Sequence, residues 1–210
     1  MERKLYLTEK PTLVHKTIAD MIVPGSLVLE MGCAAGTHTR LLKEYLGCRV
    51  TGLEIEPTMA AQAEHHAEQV IVGSLESPAT WDQIEGKFPY IIFADVLEHL
   101  SNPSEILLRA RGFLEDGGCI ISSIPNVAYY KIRKQLLLGK FEYSRFGIMD
   151  DTHLRFFTAK TAKQLFTDAG YMVEKFVYIF WSTRDRLLGR WFPNACAHQF
   201  IIKAVPVERD

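Results

Sequence analysis

Three things are scarce in this chain. No apolar run approaches the roughly twenty residues that cross a bilayer, and Met1 to Lys10, MERKLYLTEK, lacks the apolar segment of a secretory leader. A cytoplasmic setting is therefore expected. Cysteine is rare: Cys33, Cys48, Cys119 and Cys196 are the only four, scattered without the paired spacing of a zinc site or a disulfide framework. Buried thiols and no metal are the expectation. Nor does either charge dominate, since 24 Lys+Arg stand against 25 Asp+Glu for a net charge of −1. So even a balance gives little attraction to a phosphate backbone, which argues against a nucleic-acid partner. What the chain has in quantity is apolar residues, 48% of 210, enough for a full core and consistent with one domain over residues 1–210.

The charge is nonetheless unevenly spread. From Tyr129 to Arg190, twelve Lys and Arg accompany six Asp and Glu, a basic stretch that is either a solvated surface or a face for an anionic substrate.

Leu27 to Gly36 is the most informative segment. The run Leu27-Val28-Leu29 suits a buried parallel strand. Glu30, Gly32, Ala34 and Gly36 then fall at alternate positions, so backbone N–H groups and a helix N-terminus can approach a ligand without Cβ interference. A second strand, Cys48 to Glu54, ends in an acid about 20 residues beyond the turn, where a carboxylate can take a ribose diol. Around these the pattern alternates. Helices are expected over 9–21, 37–46, 57–68 and 103–114, with a helical turn over 78–84 and strands over 69–72, 90–94 and 119–124. The 103–114 helix is read as ended by Gly117-Gly118. Such β-α alternation demands right-handed crossovers and a mostly parallel sheet, an α/β Rossmann-like doubly wound fold. After it come an insert over 126–158, a helix over 159–169, and two late strands, 172–180 and 198–205, that can pair antiparallel.

Four segments in order, EMGCAAG (Glu30–Gly36), GLEIEP (Gly52–Pro57), FPYIIFADVLEHL (Phe88–Leu100) and LEDGGCIISSIPN (Leu114–Asn126), resemble the class I S-adenosylmethionine-dependent methyltransferases. The later DDTHLRFFT, Asp150 to Thr158, looks like a motif of a bacterial branch associated with glycan and natural-product pathways. The resemblance implies a seven-stranded sheet with a final antiparallel strand, S-adenosylmethionine as cofactor and S-adenosylhomocysteine as product. It sets Glu30, Gly32, Ala34 and Gly36 at the methionine part of the cofactor, Glu54 on the ribose hydroxyls, and Ile55 against adenine. Ser74 and Leu75 stand at the adenine amino group, and Asp95 with Val96 at the methionine end. Ser74 replaces a usual Asp and Ala34 a usual Gly, the latter a mild change if its φ is negative.

Methyl transfer is an in-line displacement that asks mainly for positioning. A hydroxyl acceptor also needs a base, and His suits neutral pH. His153, between Asp151 and Arg155, is the first choice and His99 the second; a packing role is the competing reading of each. The expected reaction is O-methylation of a small molecule, a sugar or natural-product hydroxyl, with an anionic or glycosidic acceptor. N- or C-methylation, or a module that has lost catalysis, are the alternatives within the fold. Tyr130 and Lys134, spaced as in short-chain dehydrogenases, offer an NAD(P)-dependent oxidoreductase instead, although that family's glycine signature is missing.

The insert, rich in aromatic residues, reads as a lid over the acceptor, with a short helix at Lys131 to Leu138. Phe176 to Phe192 mixes aromatics with Arg184, Arg186 and Arg190. It reads either as a helix packing its apolar face on the core or as a surface for a membrane or a lipid-linked sugar phosphate. Oligomeric state leaves no signature.

Overall fold

The chain alternates strands and helices. A computed structural model of the protein describes residues 10–207. In order these form α1 (Leu13–Ala19), β1 (Leu27–Met31), α2 (Thr37–Leu46), β2 (Arg49–Glu54), α3 (Pro57–Ala63), β3 (Gln69–Val72), α4 (Pro78–Trp81), β4 (Phe88–Ala94), α5 (Pro103–Ala110) and β5 (Leu114–Pro125). There follow α6 (Tyr130–Leu137), α7 (Ala159–Asp168), β6 (Tyr171–Ile179), α8 (Thr183–Gly189), α9 (Pro193–Cys196) and β7 (Gln199–Pro206). The strands make one seven-stranded sheet in the order β3-β2-β1-β4-β5-β7-β6. β1 runs parallel to β2 and β4, β2 parallel to β3, and β7 antiparallel to both β5 and β6. The expected architecture is the one observed.

Local chemistry moves some boundaries. The helix expected over 9–21 spans only Leu13–Ala19, because Thr12 caps it through a box with His15; Glu9 lies outside the described residues. The helix expected over 57–68 stops at Ala63. The one expected over 103–114 stops at Ala110, a 3₁₀ turn covers Arg111–Phe113, and β5 already begins at Leu114. Gly117-Gly118 therefore lies inside the β5 segment rather than closing a helix. Gly117 turns the chain at φ +76°, and a Cβ on Gly118 would stand 3.1 Å from the Phe88 carbonyl oxygen. Within the insert, the expected short helix is present one residue earlier, as α6.

The described residues divide into two compact units. The first holds those up to Ala94 together with Phe113–Gly118; the second holds Asp95–Gly112 and the remainder from Cys119. In the first, Val28, Leu29, Met31, Leu53, Ile91, Ile92 and Phe93 build a core of strand side chains with at most 1% exposure. In the second, Ile120, Ile121, Tyr171, Phe200 and Ile202 do the same, joined by Phe166 from α7, and Tyr171 donates its hydroxyl proton to the Leu107 carbonyl at 2.8 Å. All four cysteines are buried and unpaired, as expected.

The C-terminal aromatic segment departs from its packing expectation. α8 buries only Asp185 and Gly189, while Leu187 and Leu188 are 59% and 46% exposed, so this helix does not bury an apolar face. Its anchor is polar. The Tyr129 hydroxyl, ahead of α6, donates to Asp185 at 2.9 Å, and Ser182 caps the helix through the Asp185 amide.

Candidate functional site

In the first unit the turn after β1 is drawn against the end of β2. The Gly32 and Cys33 amides donate to the Leu53 carbonyl at 2.8 and 2.9 Å. The Ala34 amide donates to Glu54 Oε2 at 2.9 Å, and the Glu56 amide to Glu54 Oε1 at the same distance. Glu54 thus joins two strand ends while keeping lone pairs on both oxygens, since a carboxylate accepts about four bonds. Gly32, Ala34 and Gly36 all have positive φ, +75°, +47° and +80°. Ala34 is therefore not the mild replacement that a negative φ allows: its Cβ is strained in the left-handed region. Gly36 is needed twice over, for its φ and because a Cβ there would stand 2.9 Å from the Ala63 Cα of α3.

Glu30, at the end of β1, is 2% exposed. Its Oε1 pairs with His38 Nδ1 at 2.7 Å and its Oε2 accepts from the Thr39 hydroxyl at 2.6 Å. The acid thereby fastens the first turn of α2. His15 stacks on His38 with ring centroids 5.0 Å apart, and burial, reinforced by His38, lowers the His15 pKa to about 4. His15, His38 and Thr39 were not expected here, because the interval from Glu30 to His38 matches no pattern that sequence reading uses. Ile55 is 67% exposed and free to meet a ligand face. Ser74 accepts the Glu76 amide on its hydroxyl, and Leu75 is buried, its carbonyl taken by Trp81 Nε1.

In the second unit Asp95 adopts φ +56° and retains exposure. Its amide donates to Ser123 Oγ at 2.9 Å, Ser123 Oγ donates back to Oδ1 at 2.7 Å, and Gln199 Nε2 donates to the same oxygen. An aspartate tolerates this backbone region better than most residues. Val96, next in sequence, is half-buried. Ser123 and Gln199 come from β5 and β7, far from Asp95 in sequence, and so were not legible.

His99 and His153, expected separately, are brought together with ring centroids 4.7 Å apart and edge to face. Glu98 joins them, 1% exposed, with Oε1 4.0 Å from His153 Nε2. The insert returns here because Leu154 and Arg155 donate their amides to the Glu98 carbonyl at 2.9 and 3.0 Å. Burial, then the Asp95 charge, holds the Glu98 carboxyl well above the usual carboxylate range. Burial, then His99, lowers His153. The ring of His153 is oriented by the Ile148 carbonyl, 3.1 Å from Nδ1, with the Glu98 carboxyl 4.0 Å from Nε2. Arg155 donates to the Ser101 carbonyl and lines an open cleft of about 370 Å³ with Asn102, Phe157 and Thr161, which neither histidine borders. Tyr130 and Lys134 stand exposed on α6.

The fold has counterparts in known proteins. A methyltransferase-domain family model matches residues 6–175. The ubiquinone biosynthesis O-methyltransferase of Xanthomonas campestris is 26% identical over 122 residues, 55% of this chain and 50% of that protein. The magnesium-protoporphyrin O-methyltransferase of Synechocystis is 28% identical over 129 residues, 60% and 56% of the two chains. The chain thus spans about half the length of the curated relatives it matches. Among solved structures, magnesium protoporphyrin IX methyltransferase from Synechocystis with bound SAH superposes with a TM-score of 0.63 at 20% identity, covering 93% of this chain and 80% of that one. A SAM-dependent methyltransferase from Archaeoglobus fulgidus gives 0.67 at 16% identity, covering 91% and 92%.

Proposed function

The chain belongs to the class I S-adenosylmethionine-dependent methyltransferase family, and on that footing we propose that it methylates a hydroxyl group of a small molecule, with a sugar or natural product as acceptor. The first unit fits the cofactor on observations of its own. Positive φ keeps the turn at Gly32 and Gly36 clear of side chains, and Glu54 keeps acceptor capacity for a ribose diol beside its two amide donors. Ile55 supplies an exposed apolar contact for adenine, and Ser74 a hydroxyl. When bound, S-adenosylmethionine supplies an electrophilic methyl group on a sulfonium.

The acceptor oxygen must lose a proton, and one observation carries its destination. His153 Nδ1 lies 3.1 Å from the Ile148 carbonyl, which can only accept, so Nδ1 bears the ring proton and Nε2 the lone pair. With its pKa lowered by burial, that nitrogen is unprotonated at neutral pH and can take the hydroxyl proton, forming an imidazolium beside Glu98. The relatives support the acceptor class, since both are named for O-methylation of small molecules. The insert over 126–158 acts in this reading as a lid, with α6 burying none of its residues and so free to close over an acceptor.

The test is transfer of labelled methyl from S-adenosylmethionine to a panel of catechols, nucleotide sugars and porphyrin acids. With a responsive acceptor, His153→Asn should lower kcat about a hundredfold while S-adenosylhomocysteine binds as before. A variant with unchanged kcat would remove His153 from the chemistry.

A further inference from the structure

We propose that Glu98, His99 and His153 form a binding site for one divalent transition-metal ion. One ligand atom from each of the three lies within 4.8 Å of the others. The protonation pattern shows what they lack. His153 is protonated at Nδ1, as its contact with the Ile148 carbonyl requires. His99 Nδ1 faces the Thr152 carbonyl at 3.3 Å and Thr152 Oγ1 at 3.1 Å. The Thr152 hydroxyl spends its own proton on Asp150 Oδ1 at 2.5 Å, so both of these partners accept and His99 too carries its proton on Nδ1. Each imidazole therefore offers Nε2 as a lone pair.

Between them stands a buried carboxyl group with one oxygen that finds no donor. Glu98 is 1% exposed, its Oε2 has no hydrogen-bond partner, and its Oε1 is 4.0 Å from His153 Nε2, beyond hydrogen-bond reach. A buried acceptor left unpaired costs about 1–3 kcal/mol. A proton on Glu98 would answer one such contact; a divalent cation answers all three at once. The surrounding bonds are also those of metal-ligating imidazoles, whose second N–H is held by a backbone carbonyl that fixes tautomer and orientation.

Two imidazoles and one carboxylate suit zinc, manganese, iron, cobalt or nickel better than magnesium or calcium, and three protein ligands leave coordination positions open. Ligand atoms about 2.0–2.2 Å from such an ion stand roughly 3–3.5 Å apart, so the site closes by about 1 Å on binding. Glu98 and the His153 side chain are 1% and 6% exposed while His99 keeps access to solvent, which gives the ion a way in. Cysteine and histidine spacing pointed to no metal because the ligands come from two adjacent residues and a third 54 positions later, united only by the return of the insert.

What the ion does rests on the methyl-transfer reading. It would take the acceptor oxygen at an open position and lower the hydroxyl pKa, so that the proton leaves to solvent water and His153 serves as a ligand instead of as the base. The binding itself needs no such reading.

Chelator-treated protein titrated with Zn²⁺, Mn²⁺ and Co²⁺ by calorimetry, with Co²⁺ absorption as a second readout, tests it. One equivalent should bind, with visible cobalt bands. Affinity should fall at least about tenfold in His153→Asn and in Glu98→Gln, and stay unchanged in the His65→Asn/His66→Asn control. Circular dichroism confirms folding; if Glu98→Gln fails to fold, His99→Asn and His153→Asn decide. Absence of stoichiometric binding in the wild type, or binding that survives these substitutions, overturns the site. S-adenosylhomocysteine titrated into the same metal-free samples reports separately on the methyl-transfer reading, so the two can fail independently.

Discussion

Glu54 accepts the Ala34 amide at 2.9 Å across twenty residues of sequence, which ties the acid that ends β2 to the turn that follows β1. The tie places a residue with a side chain where φ is +47°. A Cβ in the left-handed region costs about 1–2 kcal/mol, which exceeds the roughly 0.5–1 kcal/mol of added chain entropy that glycine brings. Ala34→Gly should therefore stabilise the protein by about 0.5–1 kcal/mol, raising Tm by about 2 °C. A lower Tm in differential scanning calorimetry would show that the turn does not need this backbone state.

Gly36 should tolerate no such exchange in reverse. With φ +80° and only 2.9 Å between the Ala63 Cα and the point a Cβ would occupy, Gly36→Ala must push α3 away or twist the turn. A loss of about 2–4 kcal/mol by urea denaturation is expected, together with weakened S-adenosylhomocysteine binding. Near-neutral stability would mean that α3 yields freely.

His15 makes stability depend on pH. It ionises at about 4 in the folded chain against an ordinary 6.5, so between these values the unfolded chain binds more protons. The stabilising effect of the neutral ring is complete above about 6.5 and is lost as pH falls toward about 4, by about 3 kcal/mol in total. His15→Gln keeps a residue able to complete the capping box with Thr12 and should flatten that part of the curve. An unchanged slope between pH 6.5 and 4 would assign the dependence elsewhere.

The Tyr129–Asp185 bond should govern the insert. Both residues are at most 5% exposed, so Tyr129→Phe deprives a buried carboxylate of a donor at a cost of about 1.5–3 kcal/mol. Amide exchange should quicken in α6 and α8 more than in β5 or β7. Uniform exchange across the second unit would show that this bond does not hold the insert.

The sheet was legible because its strands are short apolar runs punctuated by glycine, proline and acids, and a period of that kind survives without tertiary information. Glu54 and the glycine turn were legible for the same reason: their function lies in a spacing. The bounds of α5 and β5 were not, since Gly117-Gly118 reads as a helix stop although its φ and close contacts with Phe88 and Pro89 serve the strand. Nor could sequence show that Asp95 is held by Ser123 and Gln199, or that Glu98 joins His99 and His153, because these meet only through strand order and the return of the insert. α8 misled for a physical reason. Its leucines resemble a packing face, but the group it buries is Asp185.

Calorimetric titration of S-adenosylhomocysteine into the wild type and Glu54→Gln, with NADPH as a parallel ligand, tests the central claim most directly. The wild type should bind one equivalent, the variant should bind at least about tenfold more weakly through loss of charge-assisted bonds of about 1.5–3 kcal/mol, and NADPH should give no heat. A folded wild type that binds NADPH and leaves S-adenosylhomocysteine unbound would contradict it.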